Sequence, residues 1–240
     1  MKTPIQYILP QLPKAIQLPC DSDINWDTLC SRDASIKRLC DPIGYVNVEE
    51  KIDGAMVGMC FHEGHPKIRI KDKILRKGRN PSQASSQRQF ASIWNWVYDH
   101  KSQFEALEEL VGPCSVYGEW MVMQHGMEYT ELPSWLIAFD LFLHSNNDFY
   151  SPRMARRALQ ESGFSTSPKL SEIPLNKDFS GYIDLIEKPA SFGGTGLREG
   201  IYVKVCNGKW ITNRYKIVRP DFQRGRLFNA EKLIKNTLAH

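Results

Sequence analysis

The 240-residue chain is long enough to bury a substantial core, and its ordinary hydrophobic (42%) and charged (24%) fractions exclude a disordered or fibrous protein. The formal net charge is +4, yet residues 198–240 hold ten Lys and Arg against three Asp and Glu. This basic C-terminal segment favours a polyanionic partner such as a nucleotide or nucleic acid. A solvated charged face would give the same count.

The six cysteines form no C-x-x-C pair, and the even spacing of Cys20, Cys30 and Cys40 matches no metal or disulfide framework. In a chain of this length they indicate reduced thiols. The N-terminus has no apolar core of a signal peptide, and no apolar run approaches the roughly 18 residues of a membrane span. The sequence therefore favours a soluble protein of the cytoplasm or nucleus, neither secreted nor membrane-bound.

The first half of the chain is predicted to begin irregularly and then to form strands. Residues 1–43 are rich in Pro and predict a lead-in with one or two short helices. Alternating apolar residues predict a strand at 44–51 and one or two strands over 67–75, and a small apolar run predicts a strand at 55–61, in an antiparallel sheet. Apolar residues at helical spacing over 87–111 predict one long amphipathic helix, or two with a break near His100.

The second half is predicted to consist mainly of strands, at 114–123, 136–143, 200–206 and 210–218. The last two are joined by a tight turn at Asn207-Gly208. Helices are predicted at 152–162, 179–188 and 231–238. Because the helices do not alternate strictly with the strands, the pattern predicts an α+β fold with two antiparallel sheets and flanking helices.

Neither common glycine-rich phosphate loop is present, so a bound nucleotide would need another kind of site. Lys51-Ile52-Asp53-Gly54 lies at a predicted strand-to-strand turn. A lysine is nucleophilic only when neutral, and burial with nearby cations, here Lys216 and Arg214, is expected to lower its pKa. Gly54 permits close approach of the backbone to a ligand. The alternative is a surface lysine before an ordinary Asp-Gly turn.

Carboxylates and cations elsewhere could complete such a site. Glu119 and Glu199 lie next to glycines on separate strands, where carboxylates suit Mg²⁺ or ribose hydroxyls, although each could be a surface residue. Phe139 could stack on a base or fill the core, and Asp140 needs a partner if buried. The candidate phosphate contacts are all cationic: Arg76, Arg214, Lys216 and Arg219.

The order of these motifs resembles that of the covalent nucleotidyltransferases, and in particular the ATP-dependent RNA ligases. The chain is similar to the second class of phage-type RNA ligases and their bacterial relatives over roughly residues 45–222. The motifs that carry the resemblance are Glu-Lys-Ile-Asp-Gly at 50–54, Tyr-Gly-Glu at 117–119, Ala-Phe-Asp at 138–140, Glu-Gly-Ile-Tyr-Val-Lys at 199–204 and Lys-Ile-Val-Arg-Pro-Asp-Phe at 216–222.

The resemblance implies a role for each candidate residue. Lys51 would be adenylylated, and Arg214 and Lys216 would contact the α-phosphate. Phe139 would stack on adenine, Glu50 would lie beside the adenine site, and Asp53 and Gly54 would line the nucleotide site. Glu119 would bind the ribose, Arg76 would contact the ribose or the 5′-phosphate end, and Glu199 would assist the metal. At position 214 the family more often has lysine, so arginine keeps the charge and changes the geometry.

The resemblance also implies an organisation and an activity. The expected nucleotidyltransferase domain, an ATP-grasp-like ligase core, spans 44–222, with a short tail or helix at 223–240 and no full OB-fold. The expected activity is ATP-dependent joining of 5′-phosphate and 3′-hydroxyl ends of RNA or a nicked duplex through lysyl-AMP, with Mg²⁺ or Mn²⁺. A monomer is expected, with a partner protein as one source of an accessory domain. Two alternatives stay open: a capping-type guanylyltransferase and a catalytically silent RNA-binding module.

Overall fold

Two β-sheets form most of the computed structural model, which describes residues 9–20, 28, 31, 36, 39, 44–76, 88–172, 180–194, 196–225 and 233–239. The strands within those residues are β1 (Ile16–Leu18), β2 (Tyr45–Glu50), β3 (Ala55–His62), β4 (His65–Ile70), β5 (Lys73–Leu75), β6 (Cys114–Trp120), β7 (Leu136–Leu143), β8 (Asp148–Phe149), β9 (Lys169–Ser171), β10 (Gly200–Asn207) and β11 (Trp210–Val218). The helices are α1 (Ile93–Asp99), α2 (Lys101–Val111), α3 (Pro152–Glu161) and α4 (Ser180–Ile186).

The strand order is β5-β4-β3-β6-β7-β8 in one sheet and β1-β11-β10-β2-β9 in the other. Neighbouring strands pair antiparallel, except that β1 pairs parallel with β11. The α+β fold with two mainly antiparallel sheets is thus confirmed. In the described part of the chain, no helix is long and apolar enough to cross a membrane.

Each sheet has a hydrophobic core of its own. Helices α1, α2 and α3 contribute Trp96, Leu107 and Leu159 to the core of the six-stranded sheet, while α4 places Ile186 against the five-stranded sheet. Of the two forms predicted for residues 87–111, the structure has the two helices with a break at His100, because α1 ends at Asp99 and α2 begins at Lys101. Burial of one such large apolar side chain contributes about 1.5–3 kcal/mol.

Some sequence predictions are wrong or incomplete. The C-terminal helix predicted at 231–238 is not formed over residues 233–239, which are extended because their backbone bonds to the segment after β6. Residues 231–232 lie outside the described residues. So does most of the lead-in at 1–43, for which one or two short helices were predicted. Strands β1, β8 and β9 were missed because two or three residues are too few to show a period.

The chain crosses from the five-stranded sheet to the six-stranded sheet at residues 51–54, here called the lysine turn. Gly54 lies tightly against the end of β6. A Cβ atom on Gly54 would stand 2.6 Å from the Met121 sulfur and 3.0 Å from the Trp120 carbonyl oxygen. A larger residue would crowd the Trp120 carbonyl oxygen and displace the Met121 side chain, so glycine suits the close packing of the crossing against β6.

Candidate active site

Lys51 and Glu199 meet where β2 ends and β10 begins. The Lys51 amide donates a hydrogen bond to the Gly200 carbonyl oxygen (3.0 Å), which extends the pairing of the two strands. The Lys51 Nζ atom donates to Glu199 Oε2 at 2.7 Å, and both side chains are buried. The structure therefore brings the predicted nucleophile and the predicted metal-assisting carboxylate into direct contact.

The pKa of Lys51 is raised above its usual value in this environment. Burial lowers the pKa of Lys51, but Glu199, Tyr202 and Glu119 together raise it by more. The expectation of a lowered pKa is therefore wrong for this structure. The physical reason is that Glu199, Tyr202 and Glu119 outweigh burial, while Arg214, one of the two expected cations, is engaged with Asp140.

Glu119 is the second carboxylate of the cleft. Burial raises the pKa of Glu119 to about 8, with Lys51 opposing the rise and Glu199 and Asp53 adding to it. Among the described residues, Glu119 Oε2 is buried without a hydrogen-bond partner. Burial likewise raises the pKa of Glu199 despite its bond to Lys51. The cleft thus holds more carboxylate oxygens than the protein itself can satisfy.

This donor set fits a divalent cation such as Mg²⁺ or Mn²⁺. Magnesium favours carboxylate oxygens and commonly uses one or two of them together with substrate phosphates and waters. Within the described ranges, no cluster of three or more His, Cys, Asp or Glu side chains is arranged to hold a metal. Glu119 and Glu199 could therefore hold such an ion only together with phosphate or water oxygens.

Two aromatic rings face each other beside Lys51. The rings of Phe139 and Tyr202 are 6.4 Å apart between centroids and inclined by 27°, and Lys51 Nζ lies 5.5 Å from the Tyr202 centroid. Phe139 is placed there by a β-bulge, because β7 has one extra residue where Tyr117 pairs with Asp140 and Gly118 pairs with Ala138. The bulge re-aims the strand locally.

Lys204 ties the two sheets together under this aromatic pair. Its Nζ atom bonds to Glu49 Oε2 (2.5 Å), Asp140 Oδ1 (2.9 Å) and the Phe139 carbonyl oxygen (2.9 Å). An ammonium has three donors, so all are used here. Burial lowers the pKa of Lys204, but Asp140 and Glu49 raise it by more, so the pKa of Lys204 is raised overall. Lys204 therefore fixes the floor of the cleft and the backbone of the bulge.

The two cations predicted near the α-phosphate have different surroundings. The Arg214 guanidinium bonds to Asp140 Oδ2 (3.1 Å) and packs over the Phe149 ring at 4.4 Å. Lys216 is the cation that interacts with Lys51, since burial, Arg224 and Lys51, in that order, lower the pKa of Lys216. Lys216 thus interacts electrostatically with Lys51, whereas Arg214 is engaged with Asp140.

Glu50 faces away from this cleft. Side chains alternate along a strand, so Glu50 lies on the opposite face of β2 from Glu49 and Lys51. Its carboxylate accepts bonds from the Ser191 hydroxyl (2.5 Å) and from Arg198 Nε (3.0 Å). The structure does not bring Glu50 into the group formed around Lys51, and a role beside adenine stays a prediction.

The remaining predicted residues lie at the edges of the cleft. Asp53 accepts hydrogen bonds from the Gly126 and Met127 amides, so it holds the neighbouring segment, and Gly54 abuts β6 as described above. Arg76 is exposed one residue beyond β5. Arg219 bonds to the Arg198 carbonyl oxygen and to Asp221, so its guanidinium is engaged within its own segment.

Sequence reasoning assigned no site role to Glu49, Tyr202 or Lys204. A signal was present in β10, where Ile201, Val203 and Val205 alternate with less apolar residues and enter the core of the five-stranded sheet. The intervening positions Tyr202 and Lys204 must then face the other side. Glu49 lies two residues before Lys51 on β2, so the same alternation places Glu49 on the same face of the strand as Lys51.

A buried lysine at the crossing between two antiparallel sheets, with carboxylates and an aromatic pair around it, is the arrangement of a covalent nucleotidyltransferase core. The family profile described as RNA ligase matches residues 44–218. The chain therefore belongs to the RNA ligase family.

Solved structures of Naegleria gruberi RNA ligase share the fold. The structure with PPi is 17% identical, has a TM-score of 0.57, and the match covers 77% of this chain and 52% of that one. A variant with ATP and Mn is 16% identical with a TM-score of 0.55, covering 78% and 53%. A variant with AMP and Mn is 16% identical with a TM-score of 0.54, covering 77% and 53%. This chain thus spans about half the length of those proteins. No curated protein matches the sequence.

Proposed function

We propose that the chain is an ATP-dependent polynucleotide ligase that joins a 5′-phosphate to a 3′-hydroxyl through lysyl-AMP. The observation that carries the proposal is the position of Lys51 Nζ, buried 2.7 Å from Glu199 and beside the Phe139–Tyr202 pair. Family membership supports RNA as the substrate class. The fold shared with Naegleria gruberi RNA ligase, solved with ATP, AMP or PPi, supports ATP as the nucleotide.

The aromatic pair suits a purine base. The centroids of Phe139 and Tyr202 are 6.4 Å apart and the rings are inclined by 27°, so a base could stack on the face of one of them. Stacking of a base on an aromatic side chain contributes about 1–3 kcal/mol. Adenine held there would place its phosphates toward Lys51.

The first step follows from the groups around Lys51. The ammonium must lose a proton before its nitrogen can attack the α-phosphorus, and Glu199 Oε2 already accepts the hydrogen bond from Nζ. A nitrogen–phosphorus bond then forms, and the bond to the bridging oxygen breaks with release of pyrophosphate. Lys216, which interacts electrostatically with Lys51, would offset negative charge on the phosphoryl oxygens. A divalent ion held by Glu119 and Glu199 would supply further positive charge.

The later steps exchange the same AMP group. A 5′-phosphate oxygen attacks the lysyl-AMP phosphorus, which returns the electron pair to Lys51. The 3′-hydroxyl then attacks the activated 5′-phosphate, and AMP leaves as the new phosphodiester forms. Each step forms one bond to phosphorus and breaks another, so ATP is the single energy source for sealing.

A sealing assay tests this function. The purified chain is incubated with ATP, Mg²⁺ and a nicked duplex that has an RNA 3′-hydroxyl and a 5′-phosphate at the nick. We expect joined product from the wild type and none from Lys51→Ala. A protein labelled by GTP in place of ATP would be a guanylyltransferase. A protein that binds the duplex without labelling by either nucleotide would be a silent binding module.

The proposal also covers the oligomeric state, the cellular setting and the need for a partner protein. We infer that the chain acts as a monomer in the cytoplasm or nucleus, where the buried thiols of Cys60, Cys114 and Cys206 would stay reduced. Light scattering during the reaction checks the monomer. Sealing by the chain alone would show that no partner protein has to contribute an accessory domain.

A further inference from the structure

The described C-terminal residues 233–239, here called the C-terminal strap, run along the segment that follows β6. The strap forms isolated bridges through Lys235 to Met123 and through Leu238 to Leu132. Backbone hydrogen bonds add to them. The donor–acceptor pairs are Gln124 to Ile234 (2.9 Å), Asn236 to Val122 (3.1 Å), Thr237 to Tyr129 (2.9 Å), Leu132 to Thr237 (3.1 Å) and Ala239 to Leu132 (2.9 Å). The strap thus borders the whole 121–132 loop.

Asn236 joins the two ends of that loop through its side chain. It is 4% exposed. Its Oδ1 atom accepts a hydrogen bond from the Tyr129 amide (2.9 Å), and its Nδ2 atom donates to the carbonyl oxygens of Met121 (2.8 Å) and Met123 (3.3 Å). One buried amide therefore fixes the separation between the start and the end of the loop.

The loop in turn holds the lysine turn. Asp53 Oδ2 accepts hydrogen bonds from the amides of Gly126 (2.5 Å) and Met127 (3.1 Å), and the Asp53 amide donates to the Tyr129 hydroxyl (2.9 Å). Apolar contacts follow the same path, because Ile52 and Tyr129 share a buried cluster against which Leu238 packs. Contacts therefore run without a gap from the strap to the residues directly after Lys51.

We propose that the C-terminal strap positions Lys51 for attack on the nucleotide, with Asn236 as the positioning residue that acts through the 121–132 loop and Asp53. The inference rests on the proposed lysine adenylylation and adds an element outside the residues 44–218 that match the family. The aromatic pair at the base site lies on β7 and β10, not on this loop. Loss of the strap contacts should therefore slow the chemical step and spare nucleotide binding.

Single-turnover formation of lysyl-AMP at several ATP concentrations tests the proposal in Asn236→Ala. We expect the maximal rate to fall by about tenfold to a hundredfold, since small displacements of a reacting group have effects of this size. The ATP concentration at half-maximal rate should stay within about twofold of the wild type. Thr237→Ala, an exposed neutral change in the same strap, is the matched control and should keep the wild-type rate.

A double-mutant cycle separates positioning from a general loss of stability. If Asn236 acts through Asp53, the double variant Asn236→Ala with Asp53→Ala should be no slower than Asp53→Ala alone. Effects that multiply, or a wild-type rate in Asn236→Ala, would overturn the proposal. Thermal unfolding reports whether each variant folds. If Asn236→Ala does not, Asn236→Asp, which retains an acceptor for the Tyr129 amide, is judged by the same criteria. Absence of lysyl-AMP in the wild type would instead refute the proposed function.

Discussion

At the scale of residues, the cleft is built from buried charges that compensate one another incompletely. Lys51 stands against Glu199 and Glu119, while Lys204 is matched by Glu49 and Asp140. Removal of one partner from a buried ion pair costs several kcal/mol when the other charge is left uncompensated, about 3–5 kcal/mol. Glu119 Oε2 is buried without a partner among the described residues, so a divalent cation could relieve the unfavourable energy of the carboxylates near Lys51.

Glu199→Gln should lower the pKa of Lys51. The substitution removes the anion that contributes most to the raised pKa and leaves the burial that lowers it. An NMR titration of the lysine side chains measures the pKa directly, without requiring activity. Glu109→Gln, an exposed change on α2, is the control. A Lys51 pKa that stays the same or rises in Glu199→Gln would contradict the assigned electrostatics.

Glu119 should make the protein less stable as the pH rises. The pKa of Glu119 is raised from 4.5 to about 8, so the folded state holds this proton more tightly than the unfolded state does. Its contribution to stability is full below pH 4.5 and is lost as the pH approaches about 8. We expect Glu119→Gln to exceed the wild type in unfolding free energy at the upper end of that range by about 1–4 kcal/mol.

Urea denaturation at several pH values measures this difference, with Glu109→Gln again as the control. The gain from Glu119→Gln should be absent near pH 4.5 and grow as the pH rises. A gain that is independent of pH would mean that the carboxyl group of Glu119 does not titrate in this way.

At the scale of elements, the site depends on the close approach of β10 and β11 at Gly200, the first residue of β10 and the one directly after Glu199. A Cβ atom on Gly200 would stand 2.0 Å from the Ile217 carbonyl oxygen. The Glu199 carbonyl oxygen accepts a hydrogen bond from the Arg219 amide, and the Gly200 carbonyl oxygen accepts one from the Lys51 amide. The start of β10 therefore sets the positions of both Glu199 and Lys51.

Gly200→Ala should destabilise the fold and slow adenylylation. The added methyl group must push β10 away from β11, and overpacking of this kind costs about 1–3 kcal/mol. Gly181→Ala is the matched control, because a Cβ atom there meets nothing within 4 Å and the residue lies in α4. Gly181 lies in the first turn of α4, so Gly181→Ala should not destabilise the fold in the way that Gly200→Ala does.

Urea denaturation and the rate of lysyl-AMP formation measure the two effects of Gly200→Ala. Equal unfolding free energies for Gly200→Ala and Gly181→Ala would show that the two strands can separate at little cost. A normal rate of lysyl-AMP formation in Gly200→Ala would show that Glu199 does not depend on this contact.

Local patterns predicted most of the elements but not the contacts between them. The strand at 136–143 follows from its nearly continuous apolar run, and the helical structure of residues 93–111 follows from their hydrophobic period. The extended form of residues 233–239 does not, because it depends on pairing with a loop more than a hundred residues earlier. The raised pKa of Lys51 also depends on distant carboxylates, which no local pattern reveals.

At the scale of the whole molecule, the basic C-terminal segment offers fewer cations to a polynucleotide than its composition suggests. Lys204 is buried, and Arg198, Arg214 and Arg219 are engaged with Glu50, Asp140 and Asp221 respectively. Among the described residues of the segment, three other cations are exposed: Lys209, Arg224 and Lys235. Binding of nucleic acid should then rely on a small number of phosphate contacts.

Salt should weaken sealing much more than it weakens lysyl-AMP formation. Each phosphate contact on a duplex contributes a log–log slope of about −0.9, so sealing should fall sharply between about 50 and 200 mM salt. The nucleotide site is partly buried, so its interactions are less screened. Rates of both steps on one nicked duplex across this range test the difference. Equal salt dependence of the two steps would contradict it.

The most direct test of the central claim is the intact mass of the protein after incubation with ATP and Mg²⁺. A lysine nucleophile predicts the gain of one AMP group, about 329 Da, and peptide mapping should locate it on Lys51. Lys51→Ala should gain nothing under the same conditions. An adduct that persists in Lys51→Ala, or a wild-type protein that gains no mass, would contradict the assignment of Lys51 as the nucleophile of a nucleotidyl-transfer reaction.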